Sequence, residues 1–311
     1  MRNVLFLNHK EKQCGVYQYG KRTADILKKS ERYNFIYCEV DSKDDFFYYA
    51  FWNNPIAIFY NYHPSTMSWL SDELTDMYSQ VVHCGLYHEG SNPYGIKFDA
   101  YVAVDSTYCD SATMFSVPRP LFENIHFDKL KSDVPVISSF GFGFGNKGFG
   151  RVVKAVNDEF DEAIIRLHIP RAFYGDRNGE LSENVFIGCQ KEMVKPNIKL
   201  EITTDFKSDD ELLKFLSEST INVFLYDEMM GRGLSSVIDY ALSVKVPIAI
   251  SKTDMFRHIY NVSPSICIED RGLSAIIESG DVLGAHRLKW SNKNLIEKYE
   301  TIISANMKET K

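Results

Sequence analysis

Three stretches of this 311-residue chain pair residue types with spacings suited to holding a phosphorylated ligand. The richest reads Tyr226-Asp227-Glu228-Met229-Met230-Gly231-Arg232-Gly233-Leu234-Ser235-Ser236-Val237-Ile238-Asp239-Tyr240-Ala241. An apolar run ends in two acids, a Gly-Arg-Gly turn follows, and a helix is expected to open at Ser235 and Ser236. Amides at a helix start, with serine hydroxyls beside them, suit a diphosphate, and the Arg232 guanidinium can pair with it bidentately. Asp239 falls three to four residues into that helix on the face of the serines, where a carboxylate can accept two hydrogen bonds from a ribose diol. The plainer reading is a cap, with Ser235 on the orphan amides and Asp239 set against the helix dipole. Capping alone does not account for glycines on both sides of an arginine.

The second stretch is Phe140-Gly141-Phe142-Gly143-Phe144-Gly145-Asn146-Lys147-Gly148-Phe149-Gly150. Its glycines expose backbone N–H groups, and Lys147 offers a mobile positive charge. It is not a phosphate loop of the GxxxxGK[ST] type, because Gly148 follows the lysine. The third stretch is the first turn, Leu7-Asn8-His9 through Cys14-Gly15-Val16, where a glycine ahead of a helix lets a ligand approach the backbone. His88, in Tyr87-His88-Glu89-Gly90, follows an apolar run and is either a sugar contact or a cleft-lining histidine. His9 makes a weaker case, and His63 and His83 read as structural.

Short apolar runs alternate with amphipathic stretches, as a parallel sheet covered on both faces requires. Strands are expected at 4–7, 34–40, 56–60, 81–86 and 100–104, then at 136–140, 163–168, 222–226 and 247–251. Helices are expected at 17–29, 66–78, 151–159, 209–217, 236–243 and 289–306, with Ser65 or Thr66 capping the second. Residues 170–200 read as a long irregular loop. Two α/β halves result, joined near residues 128–133, with domains 1–130 and 131–311.

Composition narrows the field. Hydrophobic residues make up 44% and charged residues 25%, and Gly plus Pro is 28 of 311, so disordered and low-complexity classes are out. The net charge is −7, with 12 basic against 16 acidic residues in 1–130 and 23 against 26 in the rest. Neither half is basic, so no stable nucleic-acid partner is expected. Six scattered cysteines without a CxxC pair favour a reducing, cytoplasmic setting. The first apolar run is too short for a signal peptide, and nothing is long enough to span a bilayer, which leaves peripheral membrane attachment open. Asp44-Asp45 and Asp209-Asp210 form no clear DxD after a strand, so no metal is assigned. Phe46, Phe47, Tyr48, Tyr49, Phe51, Trp52, Phe59, Tyr60 and Tyr62 cluster in seventeen positions. They form either a stacking platform or, the reading favoured here, core plus a face for a homo-oligomer.

The 226–241 block, followed by Val246-Pro247-Ile248-Ala249-Ile250-Ser251, resembles the donor-binding segment of GT-B glycosyltransferases, and among them the retaining glycosyltransferase family 4. Gly15, Gly141, Lys147-Gly148-Phe149, His88-Glu89 and Trp290-Ser291 fall in that family's order. The resemblance covers most of the chain in order, although each motif is short. It implies an α/β chain of two Rossmann-like domains facing a central cleft, the first on the acceptor side and the second holding the donor, with the last helix crossing back.

It further implies a glycosyltransferase that moves a sugar from a nucleotide-diphosphate sugar to a hydroxyl acceptor (glycan, lipid-linked or other), with retention of configuration and no cofactor. On this reading Lys147 and Arg232 meet the charge of the leaving diphosphate. Glu228 orients the sugar, and His88 steadies it. Gly15, Gly231, Gly233, Leu234, Ser235, Ser236 and Asp239 bind the donor. Two departures stand out. Glu228 and Asp239 are eleven residues apart where the family has eight, and Phe142 stands where it often has arginine, which leaves Arg232, Arg257 or Arg151 as candidates for that charge. The alternatives are a non-catalytic GT-B-like protein that binds a nucleotide or glycan, and a glycosyltransferase acting on nucleic-acid bases. A dehydrogenase or epimerase fits less well, since no GxGxxG follows the first strand.

Overall fold

The computed structural model describes residues 1–89, 95–127, 132–172 and 174–308. The chain forms two compact units. The first comprises Met1–Pro120, Gly231–Leu234 and Lys289–Lys311, and the second Leu121–Met230 and Ser235–Leu288. The boundary expected at 130/131 and Gly90 of the His88 motif lie outside the described residues.

In the first unit the order is β1 (Arg2–Asn8), α1 (Gly15–Leu27), β2 (Tyr33–Glu39), α2 (Lys43–Asn53), β3 (Ala57–Tyr60), α3 (Asp72–Met77), β4 (Val82–Tyr87), β5 (Ala100–Ala103) and β6 (Met114–Ser116). The strands form one parallel sheet in the order β2-β1-β3-β4-β5-β6. Along β1, Val4 and Phe6 face one way and Leu5 and Leu7 the other, and all four are fully buried. One face meets Leu27 of α1 together with Tyr299, Ile302 and Ile303 near the C-terminus, and the other meets Phe46, Ala50 and Leu74 of α2 and α3. Each such valine, leucine, isoleucine or phenylalanine contributes roughly 1.5–3 kcal/mol relative to exposure.

The second unit runs β7 (Val136–Phe140), α4 (Phe149–Glu159), β8 (Ala163–His168), α5 (Glu180–Lys191), β9 (Ile198–Thr203), α6 (Asp209–Ser217), β10 (Ile221–Phe224), α7 (Val237–Ser243), β11 (Ile248–Ile250) and α8 (Leu273–Ser279). Its parallel sheet has the order β11-β10-β7-β8-β9. Val152, Val153 and Val156 of α4, with Leu273 and Ile276 of α8, pack on Ile165, Leu167 and Val223. The chain closes with α9 (Gly284–Lys289) and α10 (Asn292–Asn306). Both sheets are doubly wound and Rossmann-like, as expected.

Several elements differ from expectation. The stretch expected as a long loop over 170–200 contains a helix, α5, whose opening is held by Asp176, which accepts from the amides of Leu181 (2.9 Å) and Ser182 (3.0 Å) and from the Ser182 hydroxyl. Gly179 and Gly188 in and before α5 hide its helical pattern. The helix expected over 66–78 shrinks to α3, because Met67 and Leu70 turn into the core as part of two successive turns. Much of the aromatic cluster is the helix α2, which places aromatics around its circumference and so leaves no apolar stripe to read. The last helix breaks at Trp290-Ser291, where the Ser291 hydroxyl caps α10 by accepting from the Asn294 amide at 3.3 Å.

Candidate functional site

In doubly wound sheets, ligands gather beyond the carboxyl ends of the strands where the strand order reverses. The second unit reverses between β7 and β10, which are neighbours, and the segments leaving those two strands within the unit are Gly141–Gly150 and Leu225–Met230. They pack together closely. Gly148 has a φ of +65°, and a Cβ there would lie 1.8 Å from the Leu225 carbonyl oxygen, so only glycine fits. The Asp227 amide donates to the Asn146 carbonyl at 2.9 Å. Lys147 is thereby held with its ammonium 4.1 Å from the centroid of the buried Tyr226 ring, a cation–π arrangement. Burial raises the Tyr226 phenol, which stays protonated and accepts a hydrogen bond from the Ser235 hydroxyl at 3.3 Å.

The other expected residues of this unit are distributed unevenly. Glu228 is exposed, and its carboxylate accepts from the Asp254 amide at 3.3 Å. Asp239 is fully buried, so its carboxylate lies inside the unit instead of on an open helix face. Ser235 does not cap α7. Its amide donates to the Met255 carbonyl at 3.1 Å and its hydroxyl to Tyr226, while Ser236 takes the position before the helix without a side-chain cap bond. Arg151 bonds the Tyr226 carbonyl (3.0 Å) and Asp227 (3.3 Å), and Arg257 bonds the Asp254 carbonyl at 2.6 Å.

The remaining expected residues belong to the first unit: Gly15, His88, Gly231, Arg232, Gly233 and Leu234. Gly15 opens α1, and a Cβ on it would meet nothing within 4 Å. A Cβ on Gly233 would lie 1.7 Å from the His88 carbonyl oxygen, which makes that glycine obligatory. The Arg232 guanidinium is half-exposed and 3.8 Å from the Glu89 carboxylate, whose same oxygen is 3.9 Å from His63 Nε2.

This unit's sheet reverses at β1/β3, and there the structure shows polar residues that the sequence reading did not single out. Asn8 ends β1 and Asn61 follows β3, and both are fully buried. Asn8 Oδ1 accepts from the His9 amide (3.0 Å), and its Nδ2 donates to the Tyr17 carbonyl (3.0 Å) and the Tyr37 hydroxyl (3.2 Å). Asn61 Nδ2 donates to Asn8 Oδ1 (2.8 Å) and the Val16 carbonyl (2.7 Å), and Asn61 Oδ1 faces His88 Nε2 at 2.7 Å. Tyr17 and Tyr37 both donate to Glu39, at 2.6 and 3.1 Å. Burial, followed by the nearby His63, Arg119 and His9, pushes the His88 imidazole down to about 3, and burial with the His63 charge pushes His9 to about 4. Both rings are neutral at pH 7. The signal available in sequence was a polar residue directly after each apolar run: Asn8 after Val4–Leu7, and Asn61 after Ile56–Tyr60.

Among the described residues no group of three or more His, Cys, Asp or Glu side chains is placed to hold a metal ion. No described helix is long and apolar enough to cross a membrane.

No protein-family model matches the chain, and no curated protein matches it. Solved structures do resemble it. Anabaena Alr3699/HepE, in complex with UDP and glucose, is 10% identical and superposes with a TM-score of 0.68 over 98% of this chain and 100% of that one. A glycosyltransferase from Rickettsia africae ESF-5 is 13% identical, with a TM-score of 0.65 over 99% of both chains. The lipopolysaccharide outer core galactosyltransferase WaaB is 9% identical, with a TM-score of 0.65 over 98% of this chain and 99% of that one. At such identities the likeness is one of fold, and the fold is that of the GT-B glycosyltransferases.

Proposed function

We propose that the chain is a glycosyltransferase that moves a sugar from a nucleotide-diphosphate donor to a hydroxyl acceptor, with retention of anomeric configuration. The observation that carries this reading is Lys147 held over Tyr226 where the sheet of the second unit reverses, with the exposed acid Glu228 two residues beyond Tyr226 in the chain. The fold shared with a structure that holds UDP and glucose supports it.

As the glycosidic bond to the donor breaks, negative charge gathers on the departing diphosphate, and preorganised donors aimed there lower the barrier. We assign the cationic charge to Lys147 and Arg232, and further hydrogen bonds to the diphosphate to the amides of Gly233, Leu234 and Ser236. The Ser235 amide, engaged with Met255, keeps the turn in shape. Gly15 and Gly231 leave the backbone open to the ligand. Glu228 orients the sugar and His88 steadies it, while Asp239 holds the donor ribose. The two side-chain cations make a metal or other cofactor unnecessary. We place the enzyme in a reducing cytoplasmic setting, in keeping with its six free cysteines, and assign the exposed side of α2 to a second copy of the chain.

Isothermal titration with UDP and with GDP tests the reading. Binding of one of them, weakened by ~10-fold or more in Arg232→Ala and in Asp239→Ala with the fold retained, is the expected result. Unchanged affinity in both variants removes those residues from the donor site. Nucleotide binding without donor hydrolysis or transfer identifies a binding protein instead of an enzyme.

A further inference from the structure

We infer that Asn61 is a positioning residue that fixes His88 as the neutral Nε2–H tautomer, so that His88 accepts a hydrogen bond from a hydroxyl of the transferred sugar and disfavours an acidic sugar. The tautomer follows from geometry. Only the identification of the ligand as a sugar rests on the proposed function.

Backbone groups set the orientation of both amides, since an N–H can only donate and a carbonyl can only accept. The His9 amide identifies the Asn8 atom beside it as Oδ1, and the Tyr17 carbonyl identifies the other as Nδ2. The Val16 carbonyl, 2.7 Å away, identifies Nδ2 of Asn61, which also reaches Asn8 Oδ1. The atom left toward His88 is therefore Asn61 Oδ1, which accepts only, and His88 Nε2, 2.7 Å from it, must carry the proton.

The surroundings enforce this. Asn61 is fully buried, and a Cβ on Gly20 of α1 would lie 2.2 Å from its Nδ2, so α1 is notched to admit the amide. Tyr19 stands edge-on to the His88 ring at 5.4 Å, with Arg119 over its own ring at 4.9 Å. Among the described residues the charged and titratable groups around His88 are Arg119, His63, His9 and Tyr19, with Glu89 next in the chain. Arg119, His63 and His9 all oppose a proton on the imidazole. With Nε2–H committed and the ring neutral, Nδ1 presents a lone pair. A hydroxyl can donate to it, whereas a carboxylate is repelled.

Long-range 1H–15N spectra of the full chain test the assignment, with His88 identified by its loss in His88→Gln. The expected pattern is Nε2-protonated from pH 8 to 5, with a slowly exchanging Nε2–H that Asn61→Ala abolishes. Asn61→Asp, which sets an anion against the ring, is expected to raise the His88 midpoint by ~1–3 pH units. An Nδ1–H pattern, a wild-type midpoint at the ordinary 6.5, or an unmoved midpoint in a folded Asn61→Asp overturns the assignment. If neither variant folds, the wild-type spectrum decides. For the sugar, kcat/KM is expected to favour UDP-glucose over UDP-glucuronate, or GDP-mannose over GDP-mannuronate, by ~10²-fold or more. Equal use overturns that part. A chain that uses no nucleotide sugar but shows the expected tautomer overturns the donor reading and leaves the role of Asn61 standing.

Discussion

The Lys147 ammonium stands 4.1 Å from the centroid of the Tyr226 ring, joining the loop after β7 to the end of β10 through one cation–π contact. An ammonium held this way keeps its charge in place, as a group that meets a departing anion requires. Lys147→Ala is expected to lower turnover by ~10²-fold or more. Single-turnover kinetics with the donor that the titrations identify provide the measurement, and near-normal turnover contradicts the role.

Two glycines separate structural from functional need. Gly148→Ala forces a Cβ into the Leu225 carbonyl at a positive φ and is expected to cost roughly 3 kcal/mol or more. Gly15→Ala meets nothing within 4 Å at the start of α1 and is expected to be neutral or stabilising by up to ~1 kcal/mol. Urea titrations measure both. A stable Gly15→Ala chain with reduced donor affinity would mark a position where the ligand approaches the backbone.

The helix α2 carries opposite expectations on its two sides. Phe46 is fully buried among Tyr60, Trp69 and Tyr78, so Phe46→Ala is expected to cost ~3–5 kcal/mol. Phe51 and Trp52 are 73% and 70% exposed, and replacing both with serine is expected to change monomer stability by no more than ~0.5 kcal/mol. Denaturation midpoints check the contrast. Light scattering of the same double variant reports whether this face joins two copies.

Stability is expected to fall with acid through buried histidines. His168 is 2% exposed, bonded through Nδ1 to the Thr203 hydroxyl at 2.9 Å, and pushed to about 4 by burial, with Lys207 adding to the effect. The unfolded chain takes up its proton near pH 6.5 and the folded one only near 4, so folding stability is full above 6.5 and declines as pH falls toward 4. His168→Gln is expected to flatten the dependence of the denaturation midpoint on pH across that window. Equal slopes for wild type and variant would show that His168 is not held neutral.

The sequence alone determined the alternation of buried strands and covering helices, because strands enclosed on both faces must be apolar throughout and so can be read from short runs. It also marked the glycine-rich turn at Lys147, since a glycine forced by a left-handed φ leaves its trace in composition. It did not reveal α2, whose aromatics surround the helix, nor α5, whose glycines blur the period. Only the tertiary structure brought Asn8, Asn61 and His88 into one hydrogen-bonded chain and enclosed Asp239. Parallel pairing sets the ends of β1, β3 and β4 side by side although the residues are 53 and 27 positions apart. Which polar atoms meet there depends on strand order and on the closeness of α1, and neither is written in the local sequence.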